Sequence, residues 1–118
     1  TAAMGAPWHA AEIKSLTEVE PAIASIAARG SQLLIVLSSP TLVPRWIADL
    51  AIRHGLPLAS TAPGYVYEGG LIAITDDWNA VFERAATMVD RILRGARPAD
   101  LPVEFPTTFK LILPLTSR

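Results

Sequence analysis

Apolar side chains recur at two different spacings along the chain, and the spacing predicts where helices and strands lie. The first helical stripe lies within residues 17–30 and consists of Val19, Ile23, Ile26 and Ala27. Thr17 and Glu20 have the spacing of a capping box at the start of this helix, and Gly30 is placed to end it. Weak alternation over residues 12–16 predicts a short strand before the helix.

Short apolar runs predict the strands. Residues 33–37 are too few for a helix and suit a strand that is covered on both faces, as in a parallel sheet. Residues 56–59 and 71–75 predict two further strands, and residues 108–113 predict the last one. Residues 60–70 are rich in small and polar side chains and predict a loop.

Two more helices are predicted between the strands. Residues 43–54 place apolar side chains on one helical face. Residues 78–94, capped by one of the two aspartates at 76–77, carry a wide apolar stripe that we assign to the core. The order of these elements predicts an α/β fold, a three-layer sandwich around a largely parallel sheet.

Composition narrows the class of protein. The chain has 118 residues, a length that fits one α/β domain or a fragment of a protein. Since 51% of the residues are hydrophobic, an intrinsically disordered chain is excluded. Ten Lys and Arg against eleven Asp and Glu argue against nucleic acid as the main partner. With no cysteine there is no disulfide, thiolate metal site or thiol nucleophile. The chain begins at Thr1 without a signal peptide, which predicts a trimmed or excised piece.

No catalytic or cofactor motif is present in the sequence. The glycine patterns of dinucleotide and phosphate loops, the zinc-protease helix motif and the serine-hydrolase elbow are all missing. His9 and His54 are the two histidines, and neither has a second ligand at metal spacing. We therefore expect no metal, no cofactor and no catalytic residue.

The carboxyl edge of the predicted sheet is the candidate ligand site, because open α/β sheets bind ligands there. Ser38 and Ser39 follow one strand and precede a helix, whose free N–H groups favour a carboxylate or phosphate. Ser60, Thr61 and Tyr65 follow the next strand and face the same edge. The alternatives are that the two serines only cap the helix and that the tyrosines of this loop only pack. If Tyr65 contacts a ligand, its ring should be partly accessible to solvent.

Several ordered motifs resemble a bacterial family. The segments LLIVLSSP, LAIRHGLPLA and YEGGL, followed by RAATMVDRILRGARPADLPVEFPTTF, resemble the later part of ABC-transporter substrate-binding proteins. The last segment is the most specific, since it resembles the return helix and final strand of that family. The resemblance extends from about residue 16 to residue 115 and corresponds to the latter portion of a full binding protein.

The resemblance implies a type I periplasmic-binding-protein fold, in which two α/β lobes clamp the ligand between them. By resemblance, residues 1–60 belong to the second lobe, and residues 71–118 form a return segment toward the first lobe. The residues that match cleft-facing positions are Ser38, Ser39, Ser60, Thr61 and Tyr65. The chain departs from the family at residues 73–75, Ala-Ile-Thr in place of a common Ser-Tyr-Gly, and at Pro114, in place of an expected Asn.

The function implied by the resemblance is that of a periplasmic or extracytoplasmic component of an ABC importer. It binds a small solute, such as an amino acid, without covalent chemistry, and its partner is an ABC permease. Two alternatives remain open from the residues. A flavodoxin-like regulatory or interaction domain would have no transport role, and a small α/β enzyme would need a buried acid or base in a cleft.

The resemblance also bears on oligomeric state. Without the first lobe, apolar residues of the return segment lack packing partners; they include Ile72, Ile74, Leu111 and Leu113. Since monomers seldom expose large apolar patches, we expect a two-fold homodimer. The alternative is that the helix at residues 78–94 folds back over its own sheet.

Overall fold

The computed structural model describes residues 5–115, which form a four-stranded sheet with helices beside it. The helices are α1 (Val19–Ala28), α2 (Pro44–Arg53), α3 (Gly64–Tyr67) and α4 (Trp78–Leu93), with 3-10 turns at Leu16–Glu18 and Pro98–Asp100. The strands are β1 (Leu34–Val36), β2 (Leu58–Ser60), β3 (Ile72–Asp76) and β4 (Phe109–Ile112). They lie in the order β1-β2-β3-β4; the first three are parallel and β4 is antiparallel to β3. The predicted α/β fold with a largely parallel sheet is confirmed.

One face of the sheet carries the hydrophobic core. Leu34 and Leu58 are paired across β1 and β2 and are both buried. Helices α1, α2 and α3 cover them with side chains that are almost fully buried, namely Val19, Ile23, Ile47, Leu50, Ala51 and Tyr65. The apolar stripes predicted for the first two helices are therefore confirmed, because their inward positions meet on this face.

The opposite face of the sheet is open among the described residues. Ile35 in β1 is 63% exposed, Ile74 in β3 is 56% exposed, and its partner Leu111 in β4 is 60% exposed. The expectation that the first strand is covered on both faces is wrong for residues 5–115. Since α1 to α3 all pack on the other face, the described chain forms two layers there, and the third layer of the expected sandwich is not filled.

Helix α4 has an apolar stripe but no buried residue. Its exposed apolar side chains are Trp78, Phe82, Val89, Ile92 and Leu93. Assigning this stripe to the core is wrong for the described residues, because α4 extends away from the sheet instead of covering it. The Cα radius of gyration is 18.3 Å, whereas a compact domain of this length has roughly 13–14 Å.

The start of the chain differs from the expectation in register. No strand forms over residues 12–16; a bend there leads into the 3-10 turn at Leu16–Glu18. The contacts at this turn involve Lys14, Ser15 and Glu18 rather than Thr17 and Glu20, and the Ser15 side chain makes no cap hydrogen bond. The Glu18 carboxylate accepts from the backbone N–H of Lys14 at 2.9 Å, and the Glu18 N–H donates to the Ser15 carbonyl at 3.2 Å. The expected capping box is therefore not formed, and a backbone hydrogen bond together with the Glu18 carboxylate on the Lys14 N–H closes the turn that starts the first helical segment.

The segment expected as a loop, residues 60–70, contains the short helix α3. It ends at the glycine pair of the YEGGL motif, and both glycines are required by the geometry. Gly69 has φ +110°, which side-chain-bearing residues rarely adopt. A Cβ on Gly70 would lie 2.7 Å from the backbone oxygen of Tyr65, the atom to which the Gly70 N–H donates. The tight return from α3 to β3 is thus built on these two positions.

Candidate functional site

The carboxyl ends of β1 and β2 come together as the sequence predicts. Val36 pairs with Ser60 at the last position of the two parallel strands. Immediately beyond them, the backbone N–H of Ser38 donates to the Thr61 hydroxyl at 3.0 Å. This hydrogen bond joins two loops that lie 23 residues apart in sequence. We call this edge, formed by residues 38–41 and 60–63, the hydroxyl edge.

Ser39 organises the turn into α2 without capping the helix. Its hydroxyl lies 3.0 Å from the Thr41 hydroxyl, and its carbonyl accepts from the Leu42 N–H at 3.1 Å. The N-cap residue of α2 is Val43, and no side chain caps the helix. The alternative that Ser38 and Ser39 act only as caps is therefore not what the structure has. The first turn of α2 also carries no acidic side chain.

Ser60 stabilises the loop at the hydroxyl edge from its buried side. Its side chain is buried, and its hydroxyl donates to the Ala62 carbonyl at 2.7 Å. Because the hydroxyl proton is already engaged in this short bond, Ser60 shapes the loop that carries Thr61. Thr61 itself is exposed at the rim.

Tyr65 lies in the core rather than at the surface. The residue is 2% exposed and belongs to the cluster formed by α1, α2 and the strands. The expectation that its ring is partly accessible is wrong, because α3 turns this side chain inward. Among residues 5–115 its buried hydroxyl has no hydrogen-bond partner, and burial raises the pKa of the phenol above its ordinary value.

Tyr67 is the tyrosine that faces solvent, with 77% exposure. Positions i and i+2 point to nearly opposite sides of a helix, so α3 buries Tyr65 and exposes Tyr67. Together with Val66, Tyr67 lines an open apolar groove against residues 113–115. Because residues 60–70 were predicted to be a loop, the sequence could not show which tyrosine points inward. The four-residue helix α3, which the sequence analysis did not predict, determines this.

A second polar cluster, which the sequence did not predict as a unit, lies where β3 ends and β4 begins. The Asp77 carboxylate accepts from the Asn79 N–H at 3.2 Å and so caps α4, which confirms a predicted cap. The same carboxylate oxygen lies 2.9 Å from Lys110 Nζ. The Asp77 N–H donates to the Thr108 carbonyl at 3.0 Å. The hydrogen bond from Lys110 is the main cause that holds the pKa of Asp77 below its ordinary value.

The hydroxyl edge is built for hydrogen bonding rather than for bond chemistry. Residues 38–42 and 60–66 contain no charged side chain and no histidine, so no general acid or base flanks the serines. Over residues 5–115, no group of three or more acidic or histidine side chains is arranged to hold a metal ion. In the same range, no helix has both the length and the apolar character needed to cross a bilayer.

Comparison with known proteins places this geometry in a family. A family model described as ABC transporter substrate binding protein matches residues 2–118. No curated protein matches the chain. Two solved structures share its fold. A conserved domain protein from Vibrio cholerae has a TM-score of 0.70 at 23% identity, with 82% of this chain and 33% of that chain covered.

The second structure is an ABC domain in complex with L-Trp from Streptococcus pneumoniae. Its TM-score is 0.67 at 21% identity, and the match covers 86% of this chain and 35% of that chain. The present chain therefore spans about a third of the length of the solved structures it matches.

Proposed function

The chain belongs to the ABC transporter substrate-binding protein family, whose members bind solutes and are not enzymes, and we propose that its hydroxyl edge contacts a small solute. The observation that carries the proposal is the hydrogen bond between the Ser38 N–H and the Thr61 hydroxyl at 3.0 Å. It brings two strand ends of a parallel sheet into one polar rim, at the edge where open α/β sheets bind ligands.

In this site Ser38, Ser39 and Thr61 present hydroxyls and backbone groups to the solute. A hydroxyl has one donor and two acceptor positions, so the bond between Ser39 and Thr41 leaves capacity for a ligand. Ser60 and Tyr65 act from inside: the first fixes the loop through Ala62, and the second anchors the loop in the core. This assignment separates residues that touch the solute from residues that position them.

The solute we propose is an amino acid or a molecule of similar size. An edge without charged side chains recognises carboxylate and amino groups through hydrogen bonds rather than through a counter-charge. The structural neighbour from Streptococcus pneumoniae is in complex with L-Trp, which makes L-Trp the first solute to test. Delivery to an ABC permease, from an extracytoplasmic compartment, completes the proposed role.

The experiment is calorimetric titration of a complete binding protein that contains this chain, with L-Trp and then the other amino acids as probes. Ser39→Ala should weaken the binding of the solute that binds by about 1 kcal/mol, the usual contribution of one hydrogen bond. That change corresponds to roughly a five-fold higher Kd. Ser25→Ala, at an exposed position of α1 away from the edge, is the matched control. Equal affinities for the three proteins would reject the assignment of Ser39.

We also propose how the chain is divided between lobes. Residues 1–60, together with α3, form the ligand-facing part of one lobe, and residues 71–118 lead back toward the other. Two observations support the division: α4 has no buried residue, and β3 with β4 continues past the carboxyl end of β2 as a two-stranded ribbon. In the complete protein, the apolar stripe of α4 would then pack against the other lobe.

For the 118-residue chain by itself, we propose a two-fold homodimer. The chain exposes 9,023 Å², whereas a folded monomer of 12.6 kDa exposes about 6,200 Å². The difference is larger than the roughly 800 Å² that each partner contributes to a standard interface. A second copy can cover both exposed apolar surfaces of the first, the α4 stripe and the open sheet face, because it carries the same two surfaces.

Sedimentation equilibrium at micromolar concentration tests the dimer. We expect a species of twice 12.6 kDa, and a single species at 12.6 kDa would contradict the proposal. Ile74→Lys, in the middle of the open face, should shift the equilibrium toward monomer, because it places a charge where the partner packs. Arg29→Lys, on the exposed end of α1, keeps the charge and should leave the mass unchanged.

A further inference from the structure

The connection between the sheet and α4 narrows to three residues, which we call the neck: Asp77, Thr108 and Lys110. Asp77 follows β3, and Lys110 lies in β4 opposite Thr75. Because side chains alternate along a strand, positions 75 and 77 share a face, and Lys110 reaches diagonally to Asp77. The result is an ion pair of 2.9 Å across the two strands, beside the backbone bond from Asp77 to Thr108.

Beyond the neck, an ion pair joins α4 to the segment that follows it. Arg84 in α4 donates to Glu104 at 2.6 Å, which joins the helix to the segment that returns to β4. Among residues 5–115, the substantial packing contacts connect α1, α2, α3 and the strands to one another, and none of them involves α4. The direction of α4 relative to the sheet therefore depends on the neck.

We propose that Asp77 and Lys110 are positioning residues whose ion pair sets the angle between α4 and the sheet. The proposal rests on the proposed function, because that angle becomes the angle between the two lobes. A carboxylate that both caps the helix and binds Lys110 joins the first turn of α4 to β4 through one side chain. Removing the ion pair leaves the chain connected but lets α4 sample a wider range of directions.

Asp77 does two things, and substitutions can separate them. Asn is as good an N-cap residue as Asp, so Asp77→Asn keeps the cap of α4 and removes the charge. Lys110→Met removes the partner charge and keeps a long side chain on β4. Lys110→Arg keeps the charge and should preserve the angle. If the cap alone set the direction of α4, only a variant without a capping side chain would change it.

The chain contains no cysteine, so two spin labels can be attached to introduced cysteines without first replacing a native one. Labels on cysteines introduced at Arg53, at the end of α2, and at Arg91, in α4, report the distance between these two helices. Both side chains are exposed, and neither takes part in an ion pair among the described residues. The interspin distance distribution is measured by pulsed electron paramagnetic resonance on the whole chain without solute, so the result does not depend on ligand binding. The labels are placed in the Ile74→Lys background, and labelled protein is diluted with unlabelled protein, so that distances between copies of the proposed dimer do not contribute.

We expect a broader distance distribution in Asp77→Asn and in Lys110→Met, and no further broadening when both are combined. Lys110→Arg should retain the parent width. The matched control is Arg94→Gln, because Arg94 and Asp90 form an exposed ion pair of 2.8 Å within α4 that does not cross the neck. It should leave the width unchanged.

The parent width in Lys110→Met, or equal broadening in Arg94→Gln, would overturn the proposal. Thermal unfolding followed by circular dichroism accompanies each variant, and if Asp77→Asn does not fold, the Lys110→Met result decides. Failure of this test leaves the calorimetric test of solute binding unaffected. Failure of solute binding, in turn, does not alter the distance distribution.

Discussion

Both faces of the sheet carry apolar side chains, but one face is covered and the other is exposed. On one face, Leu34 and Leu58 are buried beneath α1, α2 and α3. On the other, Ile35, Ile74 and Leu111 are more than half exposed. The difference lies in what each face has within reach along the chain: short connections return α2 and α3 onto the first face, whereas β3 continues into the neck and carries α4 away from the second.

This contrast teaches how an apolar pattern should be interpreted. A run of apolar residues predicts that a strand is covered, but it does not say which part of a polypeptide provides the cover. The stripe of α4 is as well formed as that of α2, and yet α2 buries four residues and α4 none. The side chains that cover α2 are local, whereas nothing within residues 5–115 covers the stripe of α4.

The largest expected effect comes from cutting into the covered face. Leu50 in α2 is fully buried, so Leu50→Ala should lower the free energy of unfolding by about 2–5 kcal/mol, through lost apolar burial and the cavity left behind. Urea unfolding of the chain followed by circular dichroism measures the change. A loss below about 0.5 kcal/mol, the range usual for surface substitutions, would mean that the two faces do not differ as described.

Leu93→Ala in α4 is the matched comparison, since it removes the same atoms from a side chain that is 81% exposed. At dilutions at which the chain is monomeric, we expect a change within about 0.5 kcal/mol. At concentrations at which the proposed dimer forms, a second copy that covers the stripe of α4 should make the loss larger, and that loss should diminish on dilution. A large loss in the monomer would contradict the exposure of the stripe.

The next largest effect is expected at the tight turn from α3 to β3, on the covered side of the sheet. Gly70→Ala places a Cβ 2.7 Å from the Tyr65 carbonyl oxygen, so the backbone must shift and the protein should lose about 1–3 kcal/mol. Gly64→Ala is the control, because its Cβ would meet Pro44 at an ordinary 3.4 Å and its φ is not positive. Equal stability of Gly70→Ala and the parent would contradict the close approach.

Much of the fold follows from sequence because local patterns determined it. The helical stripes of α1 and α2, the strand at residues 33–37 and the cap at Asp77 all depend on neighbours a few residues apart. What failed depends on longer range or finer register. The exposure of the second face depends on where α4 lies, which an apolar pattern does not specify, and the start of α1 depends on backbone contacts of Ser15 and Glu18 rather than on the Thr17–Glu20 spacing.

The candidate site was predictable to the level of its edge. Parallel pairing placed Ser38, Ser39 and Thr61 together because strand ends in a parallel sheet meet on one side. The side chain of Tyr65 could not be placed, since the direction of one ring depends on whether residues 64–67 form a helical turn. The Asp77–Lys110 pair was missed because β3 and β4 pair antiparallel, and sequence spacing does not reveal that register.

A smaller effect is expected at Tyr65, which lies on the covered face. The buried Tyr65 hydroxyl has no hydrogen-bond partner within residues 5–115, and an unsatisfied buried hydroxyl costs about 1–3 kcal/mol. Tyr65→Phe removes that atom and keeps the ring, so it should leave stability unchanged or raise it by about 1 kcal/mol. The same substitution at Tyr67, which is 77% exposed, should have no effect. Clear destabilisation by Tyr65→Phe would indicate that the hydroxyl has a hydrogen-bond partner.

The smallest effect is the pH dependence of the neck, where the covered and open regions join. Lys110 holds the pKa of Asp77 below its usual value of 3.8 in the folded chain. The pair therefore stabilises the folded state at every pH above that usual value, and the contribution is lost as the pH falls through the lowered folded pKa. Urea unfolding measures the difference in stability between the parent and Asp77→Asn. This difference should be constant near neutral pH and should decrease as the solution is acidified below about pH 4. Lys110→Met should show a shallower dependence than the parent, because it removes the main cause that lowers the pKa of Asp77 and leaves only the backbone hydrogen bonds from Asn79 and Ala80. Since both side chains are partly in solvent, added salt should shrink the difference. A gap that persists unchanged at low pH would assign the effect of Asp77→Asn to the helix cap rather than to the ion pair.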